Sequence, residues 1–164
     1  MKHFFTFTLR HNIGLVIVVS TFAVDQMAKL AVVGTIPVGD SWPSYGWFRL
    51  THATNFGSAL DLFSSHTTAL MVVSVILIGV LVALYWHRPR TGLRHQVTFG
   101  LMFAGAVGNL IDRVVFGHVV DFIDVLPWFI FNVADVAILV GFVGFAWDIP
   151  DVSSRLLAEW QVHS

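Results

Sequence analysis

The chain has 164 residues, 56% of them apolar and 12% charged, with a mean hydropathy of +0.77. Soluble domains carry about 25% charged residues, so this composition excludes an ordinary water-soluble domain and points to a membrane protein. Nine basic against ten acidic residues leave no basic field for nucleic acid, and the lack of cysteine excludes disulfides, thiolate metal sites and cysteine nucleophiles.

Crossing a bilayer takes about 20 predominantly apolar residues in a helix. Four segments approach that, at 13–33, 69–86, 97–112 and 133–148. The expected fold is an all-α polytopic membrane protein with four transmembrane helices, forming one membrane domain over 1–164. The first span contains Asp25 and Lys29, four apart and therefore on one helix face. A charge at mid-bilayer costs about 2.5–3.5 kcal/mol on insertion scales, so the plain reading of these two is an ion pair, with substrate contact or support as the functional one.

The loop at 34–66 is too long for a bare turn and is punctuated by Pro37, Gly39, Pro43 and Gly46. Trp47 to Thr51 alternates weakly and the segment around Asn55 reads similarly, so a small, partly β structure is expected on the membrane surface. The second span carries no charge, and Arg88, Arg90 and Arg94 crowd the short loop after it. With Lys2 and Arg10 before the first span and Arg155 after the fourth, positive charge puts both termini in the cytoplasm. The loops at 34–66 and 113–132 then face outward. Reading residues 1–31 as a cleaved signal peptide fits the basic start, but Asp25, Gln26 and Lys29 fall where a cleavage site needs small neutral residues.

In the third span, Gly105, Gly108, Asn109 and Asp112 share one helix face, and Arg113 lies one turn beyond Asn109. A glycine packing seam with interfacial anchors, or a surface that lets a ligand approach, would each produce this spacing. Asn132 and Asp135 open the fourth span as an N-cap and an acidic first turn. Capping does not explain why Asp121 reaches the same outer surface shortly before, with Pro127 turning the chain back between them.

Two carboxylates meeting at a water–lipid boundary fit aspartic-protease chemistry. At close range they cannot both ionise easily, so they share a proton and titrate as a unit. One activates water and the other polarises the scissile carbonyl. Asn109 and Asn132 could orient them without adding charge. On spacing alone Asp124 competes with Asp121, whereas Asp40 and Asp61 read as solvated loop charges. The eight histidines, His118 included, show no metal-ligand spacing, so neither a metal nor a cofactor is expected. Most of the six Trp and fifteen Phe read as lipid-facing or belt residues.

The motif Gly108-Asn109-x-x-Asp112-Arg113, followed by Val119-Val-Asp121-Phe122, resembles the signature of lipoprotein signal peptidases (signal peptidase II). Phe131-Asn132-x-Ala134-Asp135 resembles their second catalytic motif. Asp25-Gln26-x-x-Lys29 resembles their first-helix motif, and Asn55-x-Gly57-x-Ala59 their outer-loop motif. The likeness runs from about Asp25 to Asp135, in the family's order. One departure is Leu60, where the family usually has an aromatic.

The resemblance implies an aspartic endopeptidase of the bacterial inner membrane. It would cut a prolipoprotein just before its diacylglyceryl-modified cysteine, with Asp121 and Asp135 as the catalytic pair. Asn109, Asp112, Arg113 and Asn132 would support the pair and hold substrate backbone. Asp25, Lys29, Asn55, Gly57, Gly108 and Ala134 would be supporting or substrate-contact positions. It further implies an extracytoplasmic β-cradle, membrane lipid around the chain, and inhibition by cyclic peptides such as globomycin. A monomer is expected. Two rival readings make different predictions. A proton-coupled transporter needs carboxylates spread through the membrane's depth. A non-catalytic assembly subunit would tolerate Asn at Asp121 or Asp135.

Overall fold

The computed structural model describes residues 2–57, 67–87, 92–125 and 129–162, with side chains described over 13–57, 67–87, 92–125 and 129–147. The expectations resting on Ala59, Leu60, Asp61, Arg88, Arg90 and Pro127, and on the side chains of Lys2, Arg10 and Arg155, lie outside these residues. The elements run α1 (Lys2–Thr35), β1 (Ser41–Trp42), β2 (Phe48–Asn55), α2 (Thr67–His87), α3 (Gly92–Phe116), β3 (Val119–Val125), β4 (Phe129–Phe131) and α4 (Val133–Val162).

Among the described residues, three stretches are long and apolar enough to cross a membrane: Ile13–Thr35, Thr67–His87 and Gly92–Phe116. The apolar part of α4, Val133–Trp147, is shorter than the about 20 residues of a full crossing. Its hydrocarbon run ends where Asp148, Pro150 and Asp151 follow in the sequence. The third helix, in turn, extends past both ends of the expected 97–112. The exposed surface of these helices is largely apolar, with Leu15 and Met27 on α1, Val73 and Ile76 on α2, and Leu139 and Phe142 on α4 all exposed. That inversion is what hydrocarbon as solvent requires.

Helix α3 is the hub, packing against α1, α2 and α4. It can be the hub because its face is built from small residues. A Cβ on Gly105 would collide with the Ala134 carbonyl oxygen and sit 2.8 Å from Ile138 Cγ1. From the other side, a Cβ on Gly141 would lie 2.6 Å from Met102 Cγ, and one on Gly144 2.8 Å from Thr98 Oγ1. Glycines on both helices thus bring α3 and α4 into backbone contact, as membrane helices do without a hydrophobic drive between them. Farther along α3, Leu81, Phe99 and Met102 form a buried apolar cluster with Leu84, Tyr85 and Phe145 around it.

The strands form one antiparallel sheet in the order β1-β2-β3-β4. The expected partly β loop at 34–66 supplies β1 and β2. The other half of the sheet, β3 and β4, comes from 113–132, where no strand was expected. Val119 to Phe122 are buried without interruption, so the sequence lacks the alternation that marks a half-exposed strand. Strand β4 leads through Asn132 directly into α4. The sheet therefore delivers Asp121 to the same place at which α4 begins.

Candidate active site

Asn132 is fully buried at 0% exposure and caps α4. Its Oδ1 accepts the Asp135 backbone N–H at 2.9 Å, and its own backbone N–H donates to Asp135 Oδ2 at 3.2 Å. This reciprocal box satisfies helix-end donors that would otherwise be orphaned. The Asn132 side-chain amide then has its Nδ2 free to point sideways. It donates to Asp121 Oδ1 at 2.6 Å and to Asn109 Oδ1 at 3.2 Å. One residue thus contacts both Asp121 on β3 and Asp135 on α4.

Each carboxylate has a second donor. Asn109 on α3 gives its Nδ2 hydrogen to Asp135 Oδ1 at 2.8 Å. Asn55 at the end of β2 gives its Nδ2 hydrogen to Asp121 Oδ2 at 2.8 Å. Asn55 is itself fixed by the Gly57 N–H, which donates to Asn55 Oδ1 at 2.7 Å. Gly57 sits at φ +105°, in the left-handed region that side chains disfavour. Burial raises the pKa of Asp121 to about 6, against the lowering effect of the Asn55 hydrogen bond; the charge of Asp135 raises it further, and Asn132 and Lys29 pull it back.

A buried network lies beneath the pair. Lys29 Nζ is 2.8 Å from Asp25 Oδ2, 2.7 Å from Asp112 Oδ2 and 3.0 Å from Asn109 Oδ1. Asp25, 1% exposed, accepts the Ala134 backbone N–H on Oδ1 at 2.8 Å, so α1 holds the first turn of α4. Gly108 must be small here, since a Cβ would stand 2.9 Å from Asp25 Oδ2. Arg113, half-buried, donates to the Asn109 carbonyl at 3.2 Å and feels the charges of Asp135, Asp121 and Asp112.

Every site residue expected from the sequence therefore belongs to one connected region. Asp25 and Lys29 form the ion pair of the plain reading and also reach α3 and α4. The glycine face of α3 is both a packing seam and the wall of the site. Asp124, which competed with Asp121 on spacing, is engaged elsewhere: its Oδ2 receives Arg49 Nη2 at 2.6 Å and Thr51 Oγ1 at 2.7 Å. Asp40 is exposed, as expected of a loop charge. Sequence reasoning gave no part to Gln26, whose Nε2 bridges Asp25 Oδ2 at 3.2 Å and Asp112 Oδ1 at 3.0 Å. Its one signal was its place beside Asp25 in the motif.

The model of the signal peptidase (SPase) II family matches residues 17–150. A lipoprotein signal peptidase of Desulforapulum autotrophicum is 44% identical over 137 residues, covering 77% of this chain and 85% of its own length. That of Staphylococcus aureus is 35% identical over 141 residues, covering 82% and 86%. Among solved structures, a bacterial membrane enzyme superposes with a TM-score of 0.77 at 31% identity, covering 87% of this chain and 90% of the other.

Proposed function

This chain belongs to the signal peptidase II family, and we propose that it is an aspartic endopeptidase that cleaves the signal peptide from diacylglyceryl-modified prolipoproteins, just before the lipidated cysteine. The relatives' activity supports the substrate class. The observation that carries the mechanism is Asn132, which donates to Asp121 through its side chain and to Asp135 through its backbone.

In this reading Asp121 and Asp135 are the catalytic pair. Asp121, with its pKa pushed up to about 6, is the protonated member and donates a hydrogen bond to the scissile carbonyl. Asp135 takes a proton from water, whose oxygen bonds to the carbonyl carbon. Collapse of the tetrahedral intermediate breaks the C–N bond as the amine of the cysteine receives a proton from the pair. The products are a signal peptide with a new carboxylate and a lipidated chain with a free amine. Asn55, Asn109 and Asn132 hold the carboxylates through uncharged amides. Gly57 fixes Asn55, and Gly108 leaves room for Asp25. Arg113 is the cation that would hold substrate backbone. Lys29, Asp25, Asp112 and Ala134 support the pair from below.

We assign four membrane crossings to the single domain over 1–164, with α4 completing the fourth from 133 to about 148. Both termini are then cytoplasmic, and the pair lies at the outer face of a bacterial inner membrane, where the cleavage site of a membrane-inserted lipoprotein precursor lies. A monomer contains every residue of the site. Cyclic peptides such as globomycin are the expected inhibitors.

The deciding experiment is cleavage of a diacylglyceryl-modified prolipoprotein in detergent by the wild type, Asp121→Asn and Asp135→Asn, with the folding of each checked separately. Cleavage by the wild type alone is expected. Near-normal cleavage by either folded variant would overturn the dyad.

A further inference from the structure

Strands β2 and β3 pair in two blocks. Phe48 to Leu50 lie against Val125 to Ile123, and Ala53 to Asn55 against Asp121 to Val119. Between the blocks, Thr51 and His52 on β2 oppose Phe122 alone on β3, which is a β-bulge. Everything beyond the bulge depends on where it sits. A slip of one residue would turn Asn55 to the other face of the sheet and take its amide away from Asp121.

Both bulge residues are held. On one side Asp124 Oδ2 receives Arg49 Nε at 2.9 Å, Arg49 Nη2 at 2.6 Å and Thr51 Oγ1 at 2.7 Å. On the other, His52 Nδ1 lies 2.7 Å from the Ile36 carbonyl oxygen, past the end of α1. Asp124 is only 1% exposed. A buried ion pair is often no more stable than an apolar pair of the same shape, and fixing register is among the best-attested uses of such groups. Asp124 is three residues from Asp121, on the opposite face of the strand, so it has no direct part in the chemistry.

We propose that Asp124, clasped by Arg49 and Thr51, is a positioning residue that fixes the β2 bulge and so sets Asn55 against Asp121. This rests on the dyad reading above. Asp121 is also faced by Asp135 on α4, Arg113 on α3, Lys29 on α1 and Asn132 between β4 and α4. Loss of the Asn55 donor disfavours the Asp121 carboxylate, which moves the alkaline limb of the pH profile upward.

The test compares cleavage of a diacylglyceryl-modified prolipopeptide by the full-length wild type, Asp124→Ala, Asn55→Ala, their double variant and Asp121→Asn, from about pH 5 to 9. Asp124→Ala is expected to lower kcat roughly tenfold or more with little change in KM. It should move the alkaline limb upward as Asn55→Ala does, and the double variant should be no worse than Asn55→Ala. A folded Asp124→Ala with an unmoved limb, or losses that multiply in the double variant, overturns the inference. Should Asp124→Ala not fold, Thr51→Val decides on the same readout, with a smaller upward shift expected and an unmoved limb overturning it. An active Asp121→Asn brings down the dyad reading and this one together. An inactive Asp121→Asn beside an unaltered Asp124→Ala brings down only the register role.

Discussion

Asn132 and Asp135 cap each other, with the side chain of each accepting the backbone N–H of the other at 2.9 and 3.2 Å. The same box that starts α4 therefore aims Asp135 and leaves the Asn132 amide for Asp121. Capping and catalysis can be separated here. Serine is as good an N-cap as asparagine, but it has no Nδ2 to give to Asp121. Asn132→Ser should keep the cap and lose only about 1–3 kcal/mol of stability for the buried amide, while cleavage per folded molecule falls on the order of 100-fold, as when one preorganised donor is lost. Activity and melting temperature measured on the same preparation check this. Cleavage per folded molecule near that of the wild type would mean that the residue is only a cap.

The raised Asp121 pKa fixes the sign of two pH effects. Activity needs one protonated carboxyl, so kcat/KM should fall as pH rises through about 6. Asn55→Ala removes a donor to the carboxylate and should move that fall to higher pH. For stability, the folded pKa lies above the ordinary carboxylate value of 3.8, so the folded state binds more protons between 3.8 and about 6. Stability is therefore lost as pH rises through that window, by about 3 kcal/mol for this one group. Asp121→Asn does not titrate. Its melting temperature relative to wild type should climb from pH 4 to about 6 and level off above; a constant offset across that range would contradict the raised value.

Lys29 lies between Asp25 and Asp112, 2.8 and 2.7 Å from their oxygens. Removing it leaves two buried carboxylates facing each other without a cation. Breaking a buried pair by deleting one partner costs about 3–5 kcal/mol, so Lys29→Met should unfold far below the wild type in detergent. Neutralising one acid should relieve part of that cost, making Lys29→Met/Asp112→Asn more stable than Lys29→Met alone. Equal melting temperatures for the two would show that the charges are not coupled.

Much of this arrangement is legible in the chain because hydrocarbon makes polarity conspicuous. Asp25, Lys29, Asn109 and Asp112 stand out within apolar spans, and helical spacing puts each on a definite face. Asp121 is ambiguous on spacing, since Asp124 lies as near; the family resemblance favours Asp121, and the sheet supplies the physical reason that the two differ. Strand alternation turns Asp124 away, and Arg49, directly opposite in register, takes it up. That pairing joins residues 75 apart, which no local pattern reveals. Strand β3 is illegible for a related reason: buried on both faces, it reads as a plain apolar run broken by aspartates. The length of α3 and the shortness of the apolar part of α4 were blurred because helix ends at an interface mix polar and apolar residues.

The glycine seam gives a prediction with its own control. A methyl group on Gly105 would meet the Ala134 carbonyl oxygen and Ile138 Cγ1, both on α4. The backbone there cannot yield without moving α4, and the first turn of α4 carries Asp135. Gly105→Ala should therefore push the helices apart, lower stability by about 1–3 kcal/mol and depress activity more than that loss of folded protein explains. Gly79 on α2 has nothing within 4 Å of the same added atom. There alanine gains helix propensity of about 1 kcal/mol without a collision. Gly79→Ala should fold at least as well as the wild type and cleave at the same rate. Cleavage rate per folded molecule, obtained by titrating each variant with a tight-binding inhibitor, separates the two. Equal rates for Gly105→Ala and wild type would show that Asp135 does not depend on the close approach of α3 and α4.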